Sequence, residues 1–391
     1  MKIGILTYHR SQNYGAQLQA IALRYVLCKM GHETYFVDYY PEYHQWLYKP
    51  FSLQQLNTMA GITGKAAYFL YYPLRRWRYA NIQRFNEREI VPYCRPVDED
   101  YDVIVYGSDQ IWRKQVFTHV FNPVYFGAWT GNGPAPKRVG RHVSYAASMG
   151  VMKLSDSDKA MLKELVGHLD AVSVREESLK ELLVSLGVKD VQISLDPTLL
   201  LTAEGWNELL PPCFPSKESR NLGGLRDSNS KTPTSGKGYV VMYDLLQGSF
   251  DMGAVKAFAQ RRGLELVRLE GFACRIPTSH HRTTDGPEEF VNLIRNADFV
   301  FTSSYHGLVF SLLYGRQFVA AFKENAGRAG ALLSLTGLEN RMIKAGAAQI
   351  PDLPDIDYSS VAGRLAPVRE ESLAYLAYQC ITSPAQQPMS M

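Results

Sequence analysis

The chain has 391 residues, a length that suits two domains. Its 46% hydrophobic content is ample for buried cores, and a net charge of +4 is too small for this size to indicate a nucleic-acid binder. The five cysteines, Cys28, Cys94, Cys213, Cys274 and Cys380, show no CxxC or metal-site spacing, which fits a reducing compartment; no metal is expected. The opening MKIGILTYHR reads as a strand rather than a signal peptide, and no run reaches the roughly 18 apolar residues of a membrane span. A cytoplasmic protein is expected.

In chain order, Lys2 to Thr7 reads as a strand, Ala16 to Met30 as a helix ended by Gly31, and Thr34 to Asp38 as the next strand. This is a βαβ start, which makes a parallel pair. The loop HRSQNYGAQLQA between them lacks GxGxxG, so dinucleotide binding is not indicated. Asn13, Tyr14 and Gly15 suit a tight turn where a ligand approaches backbone. Gln17 and Gln19 either hydrogen-bond sugar hydroxyls or face solvent.

Tyr43 to Arg88 is aromatic and basic, with weak helical periodicity. Within it, AAYFLYYPL (Ala66 to Leu74) carries no charge and is followed by Arg75, Arg76 and Arg78. It is either an internal helix with its arginines in solvent, or a segment lying on an anionic membrane surface. Asp102 to Tyr106 is a strand running into GSDQIW, where Asp109 either caps the turn or acts on a ligand, with Gln110 beside it.

His142 to Ala146 is a strand ending in AASMG, Ser155 to Leu169 an amphipathic helix, and Ala171 to Val174 a strand that leads into Arg175. Ser178 to Leu186 is helical, and Val191 to Leu195 is a strand before DPTLLL. Glu218 to Gly238 reads as a flexible linker or insertion. It divides an N-terminal domain, 1–217, from a C-terminal one, 239–391. Alternation restarts with Tyr239 to Tyr243, Met252 to Arg261, Leu264 to Leu269 and a helix from Pro287 to Asn296.

Asp298 to Thr302 then reads as a buried parallel strand, Ser303 to Gly307 as a turn, Leu308 to Tyr314 as a helix and Gln317 to Phe322 as a strand. A turn at the carboxyl end of a parallel strand that opens a helix is where such sheets hold ligands, and the helix N-terminus favours an anion. Ser304, Tyr305, His306 and Gly307 form that turn. His306 either caps the helix or binds phosphate and shuttles a proton. Gly330 to Leu338 and Tyr358 to about Cys380 read as helices, and Pro384 to Met391 as a disordered tail. The expected architecture is α/β, with two Rossmann-type domains facing each other across a cleft.

Five separated motifs follow one another along the chain: KIGILTYHRSQNYGAQLQA, YDVIVYGSDQIW, SYAASMG, SVREES with LDPTLLL, and TSSYHGLVFSLLYGRQFVA. In this the chain resembles the polysaccharide pyruvyl transferase family over most of residues 1 to 345. It departs in a long 218–238 linker, and in a Tyr before the His where many relatives have Phe. The resemblance implies a GT-B-like fold without a cofactor. It also implies transfer of a pyruvyl group from phosphoenolpyruvate to a sugar as a ketal, with His306 and Arg175 in the donor site. The acceptor it implies is a sugar or lipid-linked oligosaccharide of surface polysaccharide (capsule or exopolysaccharide) synthesis at the inner face of the membrane.

That chemistry needs cations and N–H donors for a carboxylate and a phosphate. Arg175 can supply two parallel hydrogen bonds and the Ser304 to Gly307 helix start can take the other anion. His306 suits the acid that protonates C3, and Asp109 the base for the attacking hydroxyl. Arg328, read as lying in the loop after Phe322, is either a further phosphate contact or a solvated side chain. Two alternatives stand beside this reading. One is a nucleotide-sugar glycosyltransferase, against which Leu308 to Tyr314 has no acidic residue for a ribose. The other is a non-catalytic sugar-binding member.

Overall fold

In a computed structural model the described residues are 1–59, 61–115, 118–129, 133–150, 153–212, 238–245, 248–271, 278, 280–323 and 326–381. They form two compact units: 1–40, 87–201 and 363–381 in the first, and 41–86 with the described residues of 202–362 in the second. Residues 218–237 of the expected linker and the tail beyond 381 lie outside the described residues.

The first unit is built on seven strands: β1 (Lys2–Leu6), β2 (Glu33–Val37), β3 (Cys94–Arg95), β4 (Asp100–Asp109), β5 (Arg138–Ala147), β6 (Ser173–Val174) and β7 (Gln192–Ile193). All pair in parallel, in the order β3-β2-β1-β4-β5-β6-β7. Apolar runs such as Val103 to Tyr106 are buried, as expected of parallel strands covered on both faces.

The second unit repeats the plan with β8 (Tyr239–Tyr243), β9 (Glu265–Leu269), β10 (His281–Arg282), β11 (Phe299–Thr302) and β12 (Gln317–Ala320). Its order, β10-β9-β8-β11-β12, is again all parallel. In both sheets the chain winds one way from the first strand and then returns to its other side. This is the Rossmann order, with switch points between β1 and β4 and between β8 and β11. Each unit therefore has one crevice at the carboxyl ends of its strands where a ligand is expected.

The compact units differ from a single cut at residue 217 in three segments: 41–86 and 202–212 group with the second unit, and 363–381 with the first. The Tyr72–Glu89 helix belongs to the second unit as far as Asn86: Arg78 is buried and donates to the carbonyls of Glu270 and Thr283, and Asn81 donates to Thr284 O at 2.8 Å. The last helix, Tyr358–Ile381, ends in the first unit: Arg141 donates to Gln379 Oε1 at 2.7 Å, and Tyr375 to Ser144 O at 3.0 Å. Such pairings join residues a hundred or more positions apart, which a linear reading of composition does not reach. The burial of Arg78 also corrects the expectation that all three arginines after Leu74 face a surface.

Candidate ligand sites at the two switch points

In the second unit the candidate site starts at Ser304. Its side chain accepts from Gly307 N at 3.4 Å, so the helix runs Tyr305–Leu313 and begins three residues earlier than expected. Ser is a strong N-cap, and this placement puts His306 within the first helical turn rather than in a preceding loop. Gly307 is required by packing, because a Cβ there would lie 2.1 Å from Thr302 Oγ1. The glycine lets the helix start rest directly on the end of β11, as in dinucleotide-type folds where a glycine permits close helix–strand packing.

The adjacent turn is fixed by Asp244, a residue the sequence reading passed over. Ser303 Oγ donates to Asp244 Oδ1 at 2.8 Å and accepts from Leu245 N at 2.9 Å. Asp244 Oδ2 accepts from Ser249 N at 2.8 Å. The carboxyl ends of β8 and β11 are thus tied together at the switch point. The signal for Asp244 was its place just after the strand Tyr239–Tyr243. Arg328 lies in the Ala326–Thr336 helix rather than a loop, and its guanidinium sits 5.3 Å from the centre of the Tyr305 ring. Ser304, Tyr305, His306, Gly307 and Arg328 are therefore brought together. They offer a helix N-terminus, an imidazole and a cation, which suits an anionic ligand.

In the first unit, Asn13 is exposed and caps the Tyr14–Lys29 helix by accepting from Gly15 N at 2.9 Å. Tyr14 and Gln17, on the first turns of that helix, are buried. Gln19 is also buried and donates to Thr7 Oγ1 at 2.8 Å, while its Oε1 accepts from Ser108 N at 3.2 Å. It thereby ties the end of β1 to β4, and neither Gln17 nor Gln19 faces solvent.

Asp109 ends β4 with φ of 75°, an uncommon conformation for a residue with a Cβ. Its Oδ1 accepts from Gln110 N at 2.7 Å, and its carbonyl accepts from Ser148 N at 3.0 Å. Gly150, at φ +68°, leaves room for the Gln110 side chain, which a Cβ there would meet at 2.8 Å. Asp109 and Gln110 thus sit together at the carboxyl edge of β4 and β5.

Arg175 follows β6. Its side chain is 3% exposed and pairs with the fully buried Asp196, and its Nε lies 3.8 Å from Glu176 Oε1. Asp196 in turn accepts from Thr198 N and Thr198 Oγ1 at 3.0 and 2.7 Å. The guanidinium is therefore a fixed, charge-balanced group rather than a mobile surface arm.

A further cluster, unforeseen from sequence spacing, joins the ends of β1, β2 and β3. His9 Nδ1 donates to Thr7 O at 3.0 Å, its ring stacks on Phe36, and Nε2 lies 3.9 Å from Asp38 Oδ1. His9, Asp38 and Cys94 offer atoms within 4.8 Å of one another. Arg10, however, already pairs with Asp38 Oδ2 at 2.7 Å. Burial pushes the Cys94 thiol up to about 11. Asp38 is thus already charge-paired within the cluster.

Two parallel sheets, each with a switch point at the carboxyl ends of its strands, define an α/β protein of Rossmann type. The polysaccharide pyruvyl transferase model matches residues 13–321, most of the sequence, and the chain belongs to that family. No curated protein matches the sequence. Among solved structures, the chain is similar to UDP-GlcNAc 2-epimerase from Methanocaldococcus jannaschii, at 9% identity over 97% of this chain and 100% of that one, TM-score 0.45. It is also similar to the glycosyltransferase SnogD from Streptomyces nogalater, at 14% identity over 97% and 98%, TM-score 0.38. Likeness at this level carries no functional argument.

Proposed function

We propose that the protein moves the pyruvyl group of phosphoenolpyruvate onto a sugar bearing two hydroxyls and closes a cyclic ketal. The observation that carries the reading is His306 in the first turn of the helix at the β8/β11 switch point, in a chain of this family. The helix start, with Arg328 over Tyr305, receives one anionic group of the donor. Arg175, paired with Asp196, is the other donor-binding group that the family resemblance implies.

His306 gives a proton to C3 of the enol, and a sugar hydroxyl forms a bond to C2. Asp109 takes the proton of that hydroxyl. A second hydroxyl then bonds to C2 as the C2–O bond to phosphate breaks. The two hydroxyl protons end, in sum, on the new methyl group and on the released phosphate. No cofactor enters this scheme. Fixed charges and positioning supply the rest of the acceleration. Asn13 and Gln110 are the proposed acceptor contacts. The acceptor is a sugar, in this reading carried on a lipid at the cytoplasmic face during surface polysaccharide synthesis.

The test is incubation with phosphoenolpyruvate and a panel of free and lipid-linked galactose, mannose and N-acetylmannosamine acceptors, read by mass spectrometry. A product one pyruvyl ketal heavier, with phosphate released in equal amount, is expected. Sugar transfer from a nucleotide sugar instead would replace this reading with glycosyl transfer.

A further inference from the structure

The Gly61–Leu70 helix, GITGKAAYFL, is apolar on nearly every side, yet Tyr68 is its one buried residue. A helix of that composition is ordinarily enclosed. Here Ile62 is 87%, Leu70 72% and Phe69 56% exposed. Twelve large apolar side chains are exposed among the described residues, and six of them fall between Phe51 and Trp77. Two of them lie together, Phe51 6.0 Å from Phe69, with the half-buried Tyr72 6.2 Å from Phe51, ring centre to ring centre. Tyr68 pins the helix beneath them, its hydroxyl accepting from Ser52 N at 2.9 Å and donating to Gln55 at 2.8 Å. Concentrated apolar exposure of this kind marks a docking surface.

Charge says what the surface meets. From Tyr43 to Asn86 there are 44 residues with no Asp or Glu and six cations, Lys49, Lys65, Arg75, Arg76, Arg78 and Arg84. The whole chain has 42 basic and 38 acidic residues, so the remainder carries 36 and 38, a net of −2. The segment is a +6 island on an otherwise faintly acidic protein. Arg78 is buried and Arg75 is turned onto the Tyr68 ring at 3.4 Å, whereas Lys65 and Arg76 are exposed beside the apolar residues. Among the described residues no helix is long and apolar enough to cross a membrane.

We propose that this helical element docks the protein on an anionic lipid bilayer, with Ile62, Phe69 and Leu70 entering the interface and Lys65 and Arg76 meeting lipid phosphates. Exposed rings and aliphatic chains beside cations, without a single carboxylate, match an interfacial segment. The proposal does not rest on pyruvyl transfer, and its test uses neither donor nor acceptor.

The full chain is sedimented with vesicles of phosphatidylcholine alone, or of equal parts phosphatidylcholine and phosphatidylglycerol. Binding is expected only to the second and should weaken with salt. Lys65→Gln and Arg76→Gln should each reduce partitioning about fivefold, from roughly 1 kcal/mol per surface cation. Phe69→Gln with Leu70→Gln should abolish it while circular dichroism is unchanged. Absence of vesicle binding by the parent protein would overturn the proposal. So would a dimer in sedimentation velocity that the Phe69/Leu70 variant dissociates, because the surface would then belong to a second copy. Binding that survives both sets of substitutions would also overturn it.

Discussion

The guanidinium of Arg175 is fixed by the carboxylate of Asp196, with 3% and 0% of the two side chains exposed. Removing one partner of such a pair leaves the other charge buried and uncompensated, at a cost of about 3–5 kcal/mol. Asp196→Asn should therefore lower stability by that order. It should also raise the KM for phosphoenolpyruvate more than it lowers kcat, because Arg175 loses its orientation. Arg175→Lys should weaken donor binding despite keeping the charge, since an ammonium cannot reproduce the two-pronged geometry. Calorimetric titration of phosphoenolpyruvate into the parent and both variants checks this, and equal affinities would make the pair purely structural.

His306 lies on a buried helix whose cap and packing are made by Ser304 and Gly307. His306→Ala should therefore fold normally and lose on the order of 10²–10⁴ in kcat, the usual share of general acid catalysis. His306→Gln should bind donor and still fail to turn over, because an amide donates a hydrogen bond without releasing a proton. Single-turnover measurements separate the two, and an unchanged chemical step would remove His306 from the reaction.

Arg328→Gln is expected to raise the KM for phosphoenolpyruvate on the order of tenfold, the worth of one charge-assisted contact. Its kcat should change little. The ring of Tyr305 beneath Arg328 would then lose a cation–π contact, which is worth about 0.5–1 kcal/mol at exposed sites. A change confined to thermal stability would make Arg328 a support for the helix start alone.

Asp38 gives a pH dependence. Burial acts to raise its pKa, but His9 and Arg10 outweigh that and hold it below the ordinary 3.8. A depressed carboxylate adds stability above the unfolded value and loses it as pH falls through the folded one. Asp38→Asn should thus cost up to about 1 kcal/mol at pH 7. The gap should close on acidification below the ordinary carboxylate range, as read by urea denaturation at each pH.

Much of this was visible in the residues. Met252–Arg261 and Tyr239–Tyr243 have the bounds that periodicity indicates, and the strand–helix alternation carried the parallel sheets. The strand-to-helix setting of His306 was visible as well, although a serine that caps through Gly307 N moved the helix start back to Tyr305. What was hidden depends on contacts distant in sequence. Arg175 finds Asp196 across 21 positions, Gln19 finds Ser108 across 89, and Arg78 reaches Thr283 across 205. Nothing local marks those pairs. Through such pairs Gln19 and Arg78 are internal groups rather than solvent-facing ones.

The most direct test of the account is the reaction run in heavy water with phosphoenolpyruvate and an accepting sugar, with product mass and phosphate measured together. Protonation of C3 by an exchangeable His306 proton predicts a pyruvyl ketal whose methyl group carries one solvent deuteron, with one phosphate released per ketal. A ketal without solvent deuterium would contradict the proton transfer, and no ketal from any acceptor in the panel would contradict pyruvyl transfer itself.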